Sequence, residues 1–243
     1  MVETYQRAPS QSLARTLDRA FATPGFTEDH ETGAWTPGTF ARLWLKLRTV
    51  SFPMAFRPFA EREAVATALR TFEHSFVPGL LQTADYARAV VATKPGATEA
   101  DIETDVSDRI ARQWILTREV PPPPRLWVLI DEGILYRPVA PVAVMRDQLD
   151  HLVAMSQLPN VTIQVVPYTA GGHSGLLGAF ILADLAATQS IVFLDDVSGG
   201  RVAEDAPVVS DVALRFDAIR SDALPKVASR DLIVKVARDQ WTA

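Results

Sequence analysis

Cysteine is absent from the sequence: none of the 243 residues is a cysteine. This absence excludes disulfide bonds, thiolate nucleophiles and zinc sites built from thiolates. The four histidines, His30, His74, His151 and His173, are scattered and lack the spacing of metal ligands. We therefore expect no bound metal.

Long apolar runs are missing too. No stretch approaches the roughly 18 to 20 apolar residues that a membrane-spanning helix needs. The first residues also lack the pattern of a signal peptide, a charged region followed by an apolar one. We expect a cytoplasmic protein with no membrane partner.

Recognisable catalytic motifs are absent as well. There is no Ser-His-Asp order with a nucleophile elbow and no dinucleotide-binding fingerprint. The glycine-rich segment 171–175 lacks the Gly-Lys-Ser/Thr ending of a phosphate-binding loop. We expect no cofactor, although a fitted pocket with one or two polar groups is enough for an enzyme that mainly orients its substrate.

The sequence has fewer basic than acidic residues. The net charge of −5 argues against an extended phosphate-binding surface. Residues 1–60 carry seven Lys/Arg against five Asp/Glu, whereas the remainder carries seventeen against twenty-four. A slightly basic beginning on an acidic body fits the remnant of a DNA-binding segment.

The composition is that of a folded protein, with 48% hydrophobic and 22% charged residues. In the N-terminal half, apolar residues spaced by three and four predict helices, and residues 23–38 are typical of a linker of turns. The helices predicted there are 11–22 behind a Ser10 cap, 40–50, 61–73, one that begins after Thr83, and one behind a Thr98 cap that ends before the prolines at 121–124.

Beyond Arg125 the pattern changes to strands. Four short apolar runs predict buried strands at 126–130, 161–166, 179–182 and 191–194. A helix at 142–157 joins the first two, which favours a parallel pair, and the closer last two favour an antiparallel pair. Two helices, at 206–223 and 229–237, close the chain. The expected fold is α+β (mixed α/β): a small four-strand sheet, partly parallel, with a helical N-terminal half and two C-terminal helices.

One stretch is central to the N-terminal half. It is Val77-Pro78-Gly79-Leu80-Leu81-Gln82-Thr83 followed by Asp85-Tyr86-Ala87-Arg88. Its Pro-Gly pair predicts a turn, and Thr83 is a candidate N-cap for the next helix. Taken alone, the stretch is typical of a structural corner.

The same stretch resembles the signature of the C-terminal domain in a large family of actinobacterial XRE-type helix-turn-helix regulators, usually described as antitoxin-like. The resemblance spans roughly residues 40 to 240, and that domain's own activity is poorly defined in the family. The matches that follow in order are Phe56-Arg57-Pro58-Phe59, Arg109 to Thr117, the strand around Trp127, Arg137-Pro138, Pro159-Asn160-Val161 to Pro167, Gly171-Gly172-His173, and the helix 216–224.

This resemblance implies an effector-like α/β domain at 39–243 behind a remnant of the helix-turn-helix domain plus linker at 1–38. Arg7-Ala8-Pro9-Ser10 resembles the end of such a domain, beyond the helix that reads bases in the major groove. We expect DNA as a partner only if the chain is N-terminally truncated.

Candidate ligand contacts lie near the predicted strand ends, where ligands collect in open α/β sheets. Acidic residues follow the first strand, and the loop after Tyr168 carries a histidine, the side chain most easily poised near neutral pH. We predict ligand contacts from Trp127, Glu132, Arg137, Tyr168, His173 and Phe180.

Structural roles for the same region stay open. Asp131 is suited to cap a short helix, Arg137 to pair with a neighbouring acid, and His173 to form a hydrogen bond within its loop. The adjacent Asp195 and Asp196 face opposite sides of a strand, so we expect a solvated acid rather than a metal site.

Three functions agree with these features. The leading one is a regulator-like effector domain that binds a small apolar molecule or a partner protein, without a complete DNA-reading module; a homodimer is compatible with it. The alternative is a recruited, cofactor-independent biosynthetic enzyme, a cyclase or isomerase acting on an apolar natural product. The third is an antitoxin-like protein in a stable complex with a small partner protein.

Overall fold

The computed structural model describes residues 11–24, 26–28, 35–36, 38–40, 56–186, 189–196 and 199–242. His30 and residues 41–50 of the helix expected at 40–50 lie outside these ranges. The described helices are α1 (Gln11–Ala20), α2 (Arg57–Glu63), α3 (Ala84–Val91), α4 (Glu99–Arg112), α5 (Gly133–Tyr136), α6 (Val142–Met155), α7 (Ala206–Asp222) and α8 (Lys226–Gln240). The described strands are β1 (Thr27–Glu28), β2 (Trp35–Thr36), β3 (Ala66–Glu73), β4 (Arg125–Asp131), β5 (Val161–Val166), β6 (Phe180–Leu185), β7 (Ile191–Leu194) and β8 (Arg201–Ala203).

A six-stranded mixed sheet forms the body of the protein, in the order β5-β4-β3-β6-β7-β8. β3, β4 and β5 are parallel, whereas β6 is antiparallel to β3, β7 to β6 and β8 to β7. β3, β4, β5 and β7 therefore point the same way, and their carboxyl ends lie along one edge of the sheet. β1 and β2 form a separate antiparallel pair.

Several sequence predictions are confirmed. The class is mixed α/β, β4 and β5 are a parallel pair joined through α6, and β6 and β7 are antiparallel. Thr83 and Thr98 cap α3 and α4 through their hydroxyl oxygens, which accept the backbone N–H groups of Tyr86 and Asp101. Both C-terminal helices are present as α7 and α8.

The strand count of four is wrong, because the described chain forms six strands in the main sheet. The helix predicted at 61–73 ends at Glu63, and its second half is β3, the strand that joins the parallel and antiparallel parts. β3 is buried on both faces, so its apolar residues are not confined to alternate positions and their spacing imitates a helix. β8 has only three residues, and β1 and β2 have two each within the predicted linker of turns, too short to leave a pattern.

The sheet carries a core on each face. Alternation along β3 and β4 sends Leu69 and Val128 into one cluster and Phe72 and Leu129 into the other. The first cluster is completed by α6 and α8, the second by Phe216 and its neighbours on α7. Because both faces are covered, polar side chains at the ends of the strands are the ones in a position to meet a ligand.

Within the described ranges, no helix combines the length and the apolar character needed to cross a bilayer. The same residues contain no group of three or more His, Asp or Glu side chains placed to hold a metal ion.

Candidate functional site

A cleft of about 480 Å³ opens at the carboxyl edge of the sheet, on the face covered by α3 and α4. We call it the edge cleft. Its lining combines apolar side chains with an unusual number of charged ones. The lining residues are Phe56, Glu73, Phe76, Val77, Gly79, Gln82, Val90, Val91, Thr93, Lys94, Asp105, Arg109, Arg112, Ile181, Asp195 and Asp196.

Strand direction and side-chain alternation place two acids in this cleft. Glu73 ends β3, and Asp195 directly follows β7, which is parallel in direction to β3. Glu73 lies on the same face of the sheet as Leu69, and Asp195 on the same face as Phe193. Both carboxyls therefore reach the edge cleft from the same side of the sheet.

The Pro78-Gly79 turn and Gln82 form the roof of the cleft. Gln82 donates a hydrogen bond from Nε2 to the carbonyl oxygen of Val77 at 2.6 Å. The backbone carbonyl oxygen of Gln82 accepts a bond from Nε2 of Gln113 at 2.7 Å. The buried side chain of Gln148 on α6 stabilises the same turn through two hydrogen bonds. It donates to the carbonyl oxygen of Leu81 and accepts from the N–H of Thr83, both at 2.8 Å.

The arginines of α4 enter the cleft from the helical side. Arg109 donates from Nη1 to Oε1 of Gln82 at 2.7 Å. Burial, reinforced by the like charge of Arg112, lowers the pKa of Arg109 to about 10. Arg112 lies over the ring of Phe56 at 4.7 Å and pairs with Glu63 of α2, with 3.2 Å between its Nε and Oε2.

Glu73 has the most perturbed carboxyl in the cleft. Burial, reinforced by the negative charge of Asp195 and only partly offset by Arg109, raises its pKa to about 8. Within the described ranges its side chain accepts no hydrogen bond. Asp195 is more exposed, and burial also raises its pKa. At neutral pH Glu73 therefore holds a proton while facing the open space of the cleft.

A small recess of about 20 Å³ lies deeper than the cleft and shares part of its lining. Glu73, Gly79, Arg112 and Ile181 line both spaces. The recess adds Glu63, which is 0% exposed. A space of this size is enough for about one water molecule or a head group of similar size.

None of the six predicted ligand residues lines the edge cleft. Trp127 lies on the opposite face of the sheet, where it donates from Nε1 to Oε1 of Gln164 at 2.8 Å and is covered by the guanidinium of Arg220 at 3.8 Å. Phe180 is buried in the core beside Phe72, with 6.1 Å between the ring centroids. In the structure the side chains of both residues pack against neighbouring side chains.

Glu132, Tyr168 and Arg137 lie near one another at the exposed end of β4. Oε2 of Glu132 accepts the backbone N–H of Tyr168 at 2.7 Å, and the ring of Tyr168 stacks on that of Tyr136 at 6.2 Å. Tyr168 is 62% exposed and Arg137 is exposed as well. Glu132 therefore holds the loop after β5 in place through its hydrogen bond to Tyr168.

His173 is enclosed rather than presented to a ligand. Its side chain is 3% exposed, Nε2 lies 3.5 Å from Oδ2 of Asp131, and its ring meets the face of Phe72 at 5.8 Å. Asp131 in turn accepts the N–H of Gly133 at 2.7 Å, at the start of α5. Asp131 therefore serves the local turn, in agreement with its structural interpretation from the sequence.

Sequence reasoning missed Glu73, Arg109 and Glu63 as site residues. Glu73 and Glu63 were assigned to one helix, so the strand end that carries Glu73 was not recognised. Arg109 belongs to one of the segments that carry the family resemblance. The available signal for Glu73 is a carboxylate at the end of an apolar run. Assigning that run to a helix instead of a strand hides this signal.

Residues 56–235 match a family model described as Domain of unknown function (DUF5753). The matched range contains the whole six-stranded sheet and all the residues that line the edge cleft. Searches of curated proteins and of solved structures give no match to the chain.

Proposed function

We propose a ligand-binding function for this chain, which belongs to the DUF5753 family. In this proposal the domain binds a small organic molecule in the edge cleft and acts as the effector domain of a regulator-like protein. The helix-turn-helix regulators named by the resemblance are the proposed context, in which occupation of the cleft would control a DNA-reading or protein-binding partner.

One observation carries the proposal: Glu73 is a partly buried carboxyl that faces an open cleft, has a raised pKa and accepts no hydrogen bond within the described ranges. Such a group is expected where a ligand supplies the missing bond.

The size and lining of the cleft support the same function. Small-molecule pockets have volumes of about 300–1,000 Å³ and combine apolar walls with a few polar groups. The edge cleft, at about 480 Å³, has apolar walls from Phe76, Val90 and Ile181 and polar groups from Glu73 and Arg109.

The test uses three probes that share one apolar body: 4-phenylbutylamine, 4-phenylbutanol and 4-phenylbutyrate. Binding to the purified protein is measured by isothermal titration calorimetry. We expect at least one probe to bind, and Val90→Trp to abolish its binding because the larger side chain fills the cleft. The matched control is Val142→Trp, a helical valine that is 41% exposed outside the cleft.

Two results contradict the proposed function. One is the absence of binding by all three probes. The other is binding that Val90→Trp leaves unchanged, because the probes would then occupy a different surface.

A second candidate function is proton-transfer catalysis by a cofactor-independent isomerase or cyclase. The raised pKa of Glu73, about 8, is what favours it, because a carboxyl that is protonated near neutral pH inside an apolar cleft is suited to general acid catalysis. Glu73→Gln distinguishes the two functions: it removes turnover in an enzyme and changes only affinity in an effector domain.

A further inference from the structure

The recess beneath the edge cleft contains carboxyl oxygens that accept no hydrogen bond from the described residues. Neither side-chain oxygen of Glu63 has a hydrogen-bond partner, although the side chain is 0% exposed. Its contact with Arg112, 3.2 Å from Nε to Oε2, is an ion pair. Burial raises the pKa of Glu63, and Arg112 opposes this effect.

The basic groups nearby are in a different situation. Arg109 donates to Gln82, and Arg112 has both Glu63 and the ring of Phe56. Glu63 and Glu73 are carboxyls whose side-chain oxygens accept no hydrogen bond from the described residues, and a ligand that satisfies them must bring donors.

The charges around the cleft and recess favour a cationic donor. The carboxyls outnumber the basic side chains by two when all are ionised. The carboxyls are Glu63, Glu73, Asp105, Asp195 and Asp196, and the basic side chains are Lys94, Arg109 and Arg112. A cationic ligand favours release of the Glu73 proton, because its charge offsets the repulsion between ionised Glu73 and Asp195, whereas an anionic ligand would add to that repulsion.

The volumes of the recess and the cleft suit two different parts of this ligand, a small head group and a larger body. The recess, about 20 Å³, accepts a group about as large as one water molecule, and the cleft above it, about 480 Å³, has room for an apolar body. A protonated primary amine has a compact head with three N–H donors, which matches two neighbouring carboxyls better than a planar guanidinium does.

We propose that the edge cleft selects primary amines with an apolar body, and that the ammonium group binds between Glu63 and Glu73 in the recess while the body packs against Val90 and Ile181. This inference rests on the proposed function and adds the chemical class of the ligand.

The test compares the affinities of 4-phenylbutylamine, 4-phenylbutanol and 4-phenylbutyrate for the wild-type protein at pH 7.5. We expect the amine to bind about tenfold more tightly than the alcohol, and the carboxylate to bind most weakly. Equal or tighter binding of the alcohol or the carboxylate overturns this inference and leaves the proposed function intact. The absence of binding by all three overturns both.

Variants then locate the ammonium group. Glu73→Gln should weaken binding of the amine about tenfold and change that of the alcohol less than twofold, because only the charged amine favours the ionised form of Glu73, which glutamine cannot adopt. Glu61→Gln is the control, since Glu61 is exposed on the same helix as Glu63. Equal losses for amine and alcohol in Glu73→Gln would contradict the proposed position of the head group.

Discussion

Gln82 holds Arg109 in the edge cleft: Nη1 of the arginine donates to Oε1 of the glutamine at 2.7 Å, while Nε2 of the glutamine donates to the carbonyl oxygen of Val77 at 2.6 Å. Gln82 is buried, so both bonds are sheltered from water. The Pro78-Gly79 turn thus does more than change the direction of the chain, because it fixes a cationic side chain of α4 above the sheet.

Gln82→Leu should therefore destabilise the protein. The substitution leaves the Val77 carbonyl and the Arg109 guanidinium without these bonds, at an expected cost of about 1–3 kcal/mol in the free energy of unfolding. Urea denaturation measures the effect. Gln157→Leu, at an exposed position, is the control and should change the free energy by less than about 0.5 kcal/mol. A similar value for both variants would mean that the Gln82 bonds contribute little.

Glu73 should make stability depend on pH. Its pKa is raised from 4.5 to about 8, so between these values the folded protein keeps a proton that the unfolded chain releases. The free energy of unfolding therefore falls as pH rises through this window and levels off above about pH 8.

Glu73→Gln should flatten this dependence. We expect the variant to be more stable than the wild type at pH 8 by about 1–3 kcal/mol and closest to it below pH 5. Urea unfolding at a series of pH values provides the measurement, with the exposed Glu61→Gln as the control. Parallel pH curves for wild type and Glu73→Gln would show that Glu73 titrates normally.

Two glycines of one loop should respond differently to alanine. A methyl group at Gly175 would lie 2.4 Å from Cζ of Phe72, whereas one at Gly172 would meet nothing within 4 Å. Gly175→Ala should lower the free energy of unfolding by about 1–3 kcal/mol through overpacking. Gly172→Ala should leave stability unchanged or slightly raised, because it only restricts the unfolded chain. Equal melting temperatures for the two variants would contradict the close packing of Gly175 on Phe72.

His173→Ala should affect stability rather than ligand binding. The side chain is 3% exposed, and it packs on Phe72 outside the edge cleft. We expect a loss of about 1–3 kcal/mol in the free energy of unfolding and an unchanged affinity for the phenylbutyl probes. A large loss of affinity in a variant that keeps the wild-type melting temperature would restore His173 as a ligand contact.

The sequence predicted those parts of the fold that have local causes. Thr83 and Thr98 were recognised as helix caps because a hydroxyl before a helical run accepts an N–H of the first turn. β4 to β7 were recognised from short apolar runs. β3 was missed because a strand buried on both faces lacks alternation, and this single error removed Glu73 from the candidate residues.

None of the six predicted binding residues lines the edge cleft, although three of them lie near the same edge of the sheet. Glu132, Tyr168 and His173 follow β4 and β5, as expected for residues near strand ends. The loop that carries His173 packs against Phe72, through the ring of His173 and through Gly175. Whether a loop fills a crevice or leaves it open depends on distant side chains, which local sequence patterns do not contain.

The sequence by itself determined that cysteine chemistry is excluded, that the domain is mixed α/β, and where most helices begin. These properties depend on composition or on neighbours within a few residues. Only the tertiary structure decided that Glu73, Arg109 and Asp195 share one cleft and that Glu63 lies buried beneath it. The physical reason is that strand order and strand direction bring together residues that are distant in the chain, and the pKa of Glu73 is set by that assembled surrounding.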